Sequence, residues 1–317
     1  MVGALMEAVE CDHAEAFEGD QRRCAFEQIV PSERAPTILD FAFDRSEPLD
    51  PAEPLTWVAA RSPVDGRTLW APFDVVSLDF SRAGDQRLDR SSDGLGARFD
   101  YDGAALKALL EVVERDAERA WRTSPMRRRS SAQLEAASIG CDWFEDLYAR
   151  ARSHGLVISV YHVAAVVPVA FFACEIFEPN AGAVPRRRVS GVGCAFTADE
   201  ALLAAVTEAA QSRLTAISGV RDDLPPPDPL ARVGFGLALP PSADCVLKQW
   251  KDVASPLSDA PSASVAALAE SLAMAGYPDV GLVDLSRPGH DACVVKALVP
   301  GLGSSTRARR PPIARSV

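Results

Sequence analysis

The chain has 317 residues, of which 48% are hydrophobic and 24% are charged, and its formal net charge is −11 at pH 7. This length and composition are ordinary for a globular protein that buries a core. The acidic balance argues against a nucleic-acid-binding protein, because such a protein needs a basic surface for the phosphate backbone.

The first 122 residues predict a helix at each end and strands between them. The spacing of apolar residues predicts a helix over 3–18. Residues 55–61 and 69–80 predict two strands around a turn, and residues 91–98 predict a loop of small residues that leads into a long helix over 103–122. The buried stripe of this long helix is predicted to be Leu106, Leu110, Val113, Ala117 and Ala120.

The remainder of the chain continues a mixed pattern. A basic stretch precedes a helix that ends near residue 154. Strands are predicted over 156–163, 167–177 and 187–195, and a helix over 198–217 follows them. The buried stripe of that helix is predicted to be Leu203, Val206, Ala210 and Leu214. A helix over 262–275 and strands over 279–285 and 292–299 complete an α+β fold class.

Three helical segments carry polar pairs three residues apart, so that both members of a pair project from one helix face. The pairs are Glu7 with Glu10, Glu111 with Glu114, and Glu208 with Gln211. A single pair of this kind is usually a solvated face. Here all three are embedded in Ala, Leu and Val, which favours carboxylates directed toward a shared site. Several carboxylates in one site need a cation, and hard oxygen ligands suit Mg²⁺ carrying a nucleotide.

The sequence resembles the YcaO family of ATP-dependent enzymes that activate peptide backbones. The resemblance covers nearly the whole chain and rests on motifs that occur in the family's order. These are Ala4-Leu-Met-Glu7-Ala-Val-Glu10, Ser92-Asp93-Gly94-Leu95, Glu111-Val-Val-Glu114-Arg115-Asp116, Gly191-Val-Gly193, Glu208-Ala-Ala-Gln211-Ser-Arg213 and Val294-Val-Lys-Ala-Leu-Val-Pro300-Gly-Leu302.

The resemblance implies one ATP-binding catalytic domain over 1–301 and a flexible tail over 302–317. It implies mixed sheets with helices packed around a central nucleotide site, with ATP and Mg²⁺ as cofactors. By position in the motifs, the metal ligands would be Glu7, Glu10, Glu111, Glu114 and Glu208. The rest of the nucleotide pocket would be Ser92, Asp93, Arg115, Gln211 and Arg213. No catalytic residue is assigned.

Members of this family activate a peptide amide: a nucleophile attacks the backbone carbonyl, and the resulting oxyanion takes the γ-phosphoryl group of ATP. External sulfide gives a thioamide, whereas an internal Cys, Ser or Thr gives an azoline. The run from Arg213 to Asp223 resembles members that form thioamides with a TfuA-like partner protein. The expected partners are therefore a peptide substrate and a TfuA-like or peptide-recognition protein, and a homodimer is possible.

The sequence also departs from the family pattern. Gly3 and Cys11 stand where the family usually has Ser and Arg, and Asp93 stands in place of Asn. A Gly-Lys-Gly segment that the family carries is expected before residue 1. Fewer positive charges near a triphosphate would weaken its binding. The alternatives are an azoline-forming cyclodehydratase, or a degenerate relative that binds peptide or partner without turning over ATP.

Seven scattered cysteines without a CxxC pair argue against a zinc ribbon or a disulfide framework. The N-terminus lacks a basic region followed by an apolar run, and no apolar stretch reaches about 18 residues. The sequence therefore predicts a cytoplasmic protein with neither a membrane nor a nucleic acid as partner.

Overall fold

The structure is a computed structural model that describes residues 2–17, 19–29, 49–179, 188–218, 246–254 and 264–303. In chain order its helices and strands are α1 Val2–Glu15, β1 Gln21–Ala25, β2 Pro54–Arg61, β3 Thr68–Pro72, α2 Phe73–Val76, β4 Leu95–Arg98, α3 Tyr101–Thr123, α4 Met126–Ala132, α5 Asp142–Ser153, β5 Val157–His162, β6 Ala170–Phe177, β7 Val189–Ala195, α6 Ala198–Ser218, α7 Trp250–Ala254, α8 Val265–Met274, β8 Gly281–Asp284 and β9 Cys293–Leu298.

The described residues divide into two compact units, and each is described by itself. The first unit comprises the described residues up to Asp116 together with those from 264 to 303, and the second comprises those from Ala117 to 254. Both contain helices and antiparallel sheets, which confirms the α+β fold class. The single domain over 1–301 stays a prediction, and of the tail over 302–317 the structure describes only Leu302 and Gly303.

The first unit is built on a six-stranded sheet in the order β1-β2-β8-β9-β4, with β3 also paired to β2. Its core includes Trp57, which is fully buried and donates its indole N–H to the carbonyl of Cys24 at 2.9 Å. That bond satisfies the polar atom of a large buried ring. Trp57 therefore packs in the core without an unsatisfied polar atom. Strands β4 and β9 of the same sheet carry residues of the motifs.

Two predictions for this unit were wrong in detail. The strand predicted over 69–80 ends at Pro72, and the short helix α2 follows it from Phe73. Proline has no N–H for a strand ladder and suits the start of a helix. The loop over 91–98 is a loop only as far as Gly94, whose φ is +77°. From Leu95 the chain forms β4, which pairs with β9.

Helix α3 packs through small residues, so its buried stripe differs from the predicted one. Leu106, Leu110 and Ala120 are only half-buried. The buried face instead comprises Ala104, Ala105, Ala108, Leu109, Val112, Val113, Asp116, Ala117, Glu118 and Trp121. A Cβ added at Gly96 would lie 2.4 Å from the carbonyl oxygen of Ala104. The helix and β4 therefore approach to backbone contact, which large side chains would prevent.

The second unit contains the three-stranded sheet β5-β6-β7 with α6 packed against it. The predicted stripe of α6 was right for Val206, which is buried, and wrong for the other three, because Leu203 and Leu214 are 49% and 69% exposed and Ala210 is exposed. The buried face is Ala198, Ala201, Leu202, Ala205, Val206 and Ala209. A Cβ at Gly191 would lie 2.2 Å from the amide nitrogen of Ala209. The two glycines of the Gly191-Val-Gly193 motif thus allow β7 and α6 to pack closely.

Among the described residues, no helix combines the length and the apolar character needed to cross a membrane.

Candidate functional site

Glu10 is the most buried carboxylate of the predicted site, with 6% of the residue exposed. It projects from α1 toward β4, and its Oε1 accepts the backbone N–H of Ala97 at 2.8 Å. The same oxygen contacts Nζ of Lys107, which is on α3. Three elements of the first unit therefore meet at one carboxylate.

A second group of charges lies on and beside α3. Nε of Arg115 lies 3.7 Å from Oε1 of Glu111 and 3.9 Å from Oδ1 of Asp93. Glu111 and Arg115 are one helical turn apart, and Asp93 belongs to the turn before β4. Arg115 therefore lies between two acids of the motifs.

The Ser-Asp-Gly-Leu motif forms a tight turn. The backbone N–H of Leu95 donates to the carbonyl of Ser92 at 3.1 Å, and Gly94 has the positive φ that this turn needs. A Cβ at Gly94 would also lie 2.5 Å from the carbonyl oxygen of Ala297. Glycine here keeps the turn against β9 and holds Asp93 half-buried, whereas Ser92 is exposed.

Lys296 of β9 is the buried cation of this region, with 2% of the residue exposed. Its Nζ donates to the carbonyl of Ser91 at 2.6 Å. Burial lowers the pKa of Lys296 to about 8, and the negative charges of Asp93, Glu111 and Asp89 oppose that shift. An open cleft is lined in part by Asp89, Ser91, Asp93, Lys296 and the Pro300–Gly303 turn.

The electrostatics of Glu111 favour a cation at this place. The pKa of Glu111 is raised to about 8, mainly by burial and also by the nearby charges of Glu10 and Glu114, while Arg115 and Lys107 oppose the shift. A carboxyl group held among other carboxylates ionises readily only when a further positive charge arrives. Binding of a cation here would therefore be coupled to release of the proton from Glu111.

Within the described ranges, no three Asp, Glu, His or Cys side chains stand close enough to hold one metal ion between them. Mg²⁺ bound with a nucleotide takes one or two protein carboxylates and completes its shell with water and phosphate oxygens. Glu10, Glu111 and Glu114 provide carboxylates, and Lys107, Arg115 and Lys296 provide positive charge for phosphates. The donor chemistry of the first unit therefore fits Mg²⁺ with a nucleotide.

The remaining predicted residue of α1, Glu7, is exposed. Its charge acts on the neighbouring Cys11, whose pKa is raised by burial first and then by Glu15, Glu10 and Glu7. A thiol with a raised pKa is a poor nucleophile at neutral pH. Cys11 is thus a half-buried thiol beside the acids.

Glu208, Gln211 and Arg213 belong to the second unit, on α6. Oε2 of Glu208 accepts the backbone N–H of Val192 at 2.8 Å, and Arg213 pairs with Glu178 at 2.5 Å. Gln211 is exposed. Glu208 and Arg213 thus each contact a group on or beside the sheet of this unit.

Two charged residues of the first unit were missed from the sequence, Lys107 and Lys296. A signal existed for both. Lys107 lies four residues before Glu111, one turn along the same helix. Lys296 is the single charged residue in the apolar run Cys293–Leu298, and a lone lysine inside a strand predicted to be buried indicates a paired charge.

Comparison with known proteins gives a family that matches the chain and relatives that are similar to it. The family described as YcaO cyclodehydratase, ATP- and Mg²⁺-binding, matches residues 1–303. An uncharacterized protein in the tfuA 3′ region of Rhizobium leguminosarum bv. trifolii is 30% identical over 230 residues, which are 71% of this chain and 55% of that protein. An uncharacterized Mycobacterium tuberculosis protein is 27% identical over 71% of this chain and 50% of its own length. The chain thus spans about half the length of these curated relatives.

Solved structures share the fold. The heterocyclase TruD superposes with a TM-score of 0.75 at 20% identity, covering 96% of this chain and 46% of TruD. YcaO from Methanopyrus kandleri, bound with AMPPCP and Mg²⁺, gives 0.71 at 23% identity and covers 98% of this chain and 80% of its own. The Escherichia coli microcin synthetase McbBCD complex with pro-MccB17 bound gives 0.66 at 16% identity, covering 100% of this chain and 84% of that chain.

Proposed function

Because the chain belongs to the YcaO family, we propose that it is an ATP- and Mg²⁺-dependent enzyme that activates a backbone amide of a peptide. The observation that carries this proposal is the acidic cluster of α1 and α3, in which Glu10 is buried and burial raises the pKa of Glu111 to about 8. Buried carboxylates with shifted pKa values are typical of functional sites, and carboxylates in this number suit a site that binds a cation.

Mg²⁺–ATP supplies the phosphoryl group that converts the amide oxygen into a leaving group. The chain's own residues bind and orient it. In the first unit, Glu10, Glu111 and Glu114, with Glu7 on the exposed side of α1, would hold Mg²⁺. Asp93, Ser92 and Arg115 would contact the nucleotide there. The roles assigned to Glu208, Gln211 and Arg213 from the sequence motifs stay predictions.

Positive charge is the second requirement of phosphoryl transfer, because negative charge accumulates on the phosphate oxygens. Lys107, Arg115 and Lys296 provide it in the first unit. This retained charge supports an enzyme over a relative that binds peptide without turning over ATP.

We favour thioamide formation as the product, with azoline formation as the alternative. The similarity to a protein of a tfuA 3′ region supports a TfuA-like partner that delivers sulfide. The similarity to a multi-protein synthetase with its pro-peptide bound supports a peptide substrate and separate partner subunits. A product in which sulfur has replaced oxygen would identify the thioamide by mass, whereas loss of one water would identify an azoline.

The test of ATP use is calorimetric binding of ATP with Mg²⁺ to the wild type and to Glu114→Gln. We expect the wild type to bind and Glu114→Gln to lose Mg²⁺-dependent binding and turnover with its fold intact, because the amide keeps the shape but removes the charge. Glu270→Gln is the matched control, since Glu270 is exposed on α8 in the same unit. Unchanged turnover in Glu114→Gln would contradict the assignment of this site.

A further inference from the structure

The carboxylate of Glu10 already holds a positive charge from its own chain. Lys107 contacts Oε1, the oxygen that also accepts the N–H of Ala97. The side chain of Glu10 is 8% exposed and that of Lys107 is 29% exposed. The carboxylate is therefore fixed inside the unit, whereas the lysine reaches it from the surface.

The two contacts of Oε1 differ in whether they can be released. The amide of Ala97 belongs to β4, which is paired to β9 over four residues, so it stays in place. The ammonium group of Lys107 ends a flexible four-carbon side chain that is partly solvated, so it can return to water at small cost. Exchange at Oε1 of Glu10 therefore takes place at the position of Nζ.

A divalent cation and an ammonium group cannot share that position. Two positive charges at contact distance repel, and the repulsion grows as water is excluded. A buried carboxylate without any cation is also unfavourable. At Oε1, the charge of Glu10 is therefore balanced by Lys107 or by a metal ion, but not by both at contact distance.

We propose that Lys107 is the resident counter-ion of Glu10 and competes with the divalent cation for this carboxylate. Lys107 holds Glu10 in place while no metal is bound and leaves it when Mg²⁺ arrives. The inference rests on the proposed function, because it concerns the metal requirement of the same site. It makes Lys107 a positioning residue that sets how much Mg²⁺ the protein needs.

The test is the thermal stability of the full chain in a titration with Mg²⁺ alone, for the wild type and for Lys107→Met. Methionine keeps most of the volume of lysine and removes its charge. Without Mg²⁺ we expect a lower Tm for Lys107→Met, because Glu10 is then unpaired. As Mg²⁺ is added, the Tm of Lys107→Met should recover, with a half-saturating concentration roughly tenfold below that of the wild type.

Three further variants keep the result interpretable. Lys107→Arg retains the competing charge and should need at least as much Mg²⁺ as the wild type, and this comparison stands even if Lys107→Met folds poorly. Glu10→Gln with Lys107→Met removes the carboxylate and should abolish the additional response to Mg²⁺. Lys251→Met is the control, since Lys251 is exposed on α7, and it should behave as the wild type.

Equal Mg²⁺ midpoints for the wild type, Lys107→Met and Lys107→Arg would overturn the inference. So would a Tm of Lys107→Met that Mg²⁺ does not restore, because that is the behaviour of a purely structural ion pair. Failure of the proposed function looks different: the wild type would then bind no ATP in the presence of Mg²⁺.

Discussion

His162 gives the sharpest test of the second unit. It ends β5, and its ring lies 5.3 Å from that of Phe172 between ring centres. Its Nδ1 is buried and has no hydrogen-bond partner among the described residues. Nζ of Lys248 donates to the carbonyl of the same residue at 3.3 Å. Burial first, and then the charge of Lys248, lower the pKa of His162 to about 4.

The sign and the size of the pH effect follow from this shift. The unfolded chain binds a proton at His162 as the pH falls through about 6.5, while the folded chain does not bind it until about pH 4. Stability from this residue is therefore complete above about pH 6.5 and is lost progressively down to pH 4. At about 1.4 kcal/mol per pH unit the loss is at most roughly 3 kcal/mol, and partial exposure of the ring reduces it.

The assay is urea unfolding of the wild type and of His162→Phe at several pH values across that interval. Phenylalanine keeps a ring against Phe172 and cannot be protonated. We expect the two free energies of unfolding to differ least above pH 6.5, and the variant to become relatively more stable as the pH falls. His154→Gln is the control, since His154 is exposed. If the two curves ran parallel, the burial of Nδ1 would not be the cause of the shift.

Two further predictions concern the second unit. Gly191→Ala should lower the free energy of unfolding by about 2–4 kcal/mol, because its Cβ would lie 2.2 Å from the amide nitrogen of Ala209 on α6. Urea unfolding measures this, and the control is Gly140→Ala, where the added Cβ meets no atom within 4 Å. A loss no larger than that of Gly140→Ala would contradict the prediction. Glu208→Ala should lower the free energy of unfolding by about 1–3 kcal/mol, because the N–H of Val192 loses its acceptor. Glu208→Gln keeps an acceptor and should keep the stability. If Glu208→Gln nevertheless loses Mg²⁺-dependent ATP binding in calorimetry, the charge has a role beyond this bond.

The sequence predicted the elements better than the faces they bury. Periodicity located α1, α3 and α6, because amphipathic helices of this length leave a strong pattern. The buried faces of α3 and α6 were only partly predicted: Val113, Ala117 and Val206 are buried, but the leucines in the predicted stripes are half-buried or exposed. In both helices the contact surface is alanine against glycine of a strand, and a stripe of alanine carries little periodic signal.

Pairs distant in sequence could not be predicted at all. Glu10 and Lys107 are separated by 97 residues, and His13 and His290 by 277. His13 is fully buried. Its Nδ1–H donates to the carbonyl of Leu285 at 3.1 Å, and its Nε2 lies 3.3 Å from Nδ1 of His290. A single sequence shows each partner alone. Glu10 and Lys107 meet at β4, and His290 reaches His13 of α1 from the connection between β8 and β9.

The two neighbouring residues Gly96 and Ala97 of β4 explain why the acidic motifs of the first unit converge. Gly96 has no side chain, so α3 lies against β4 at Ala104 and Ala108. This places Lys107, between those two alanines, beside the strand. The next residue, Ala97, offers its N–H to Glu10 of α1. Because the strand fixes both helices at adjacent positions, Lys107 reaches Glu10, and the motif acids Glu111 and Glu114 follow one and two turns further along α3.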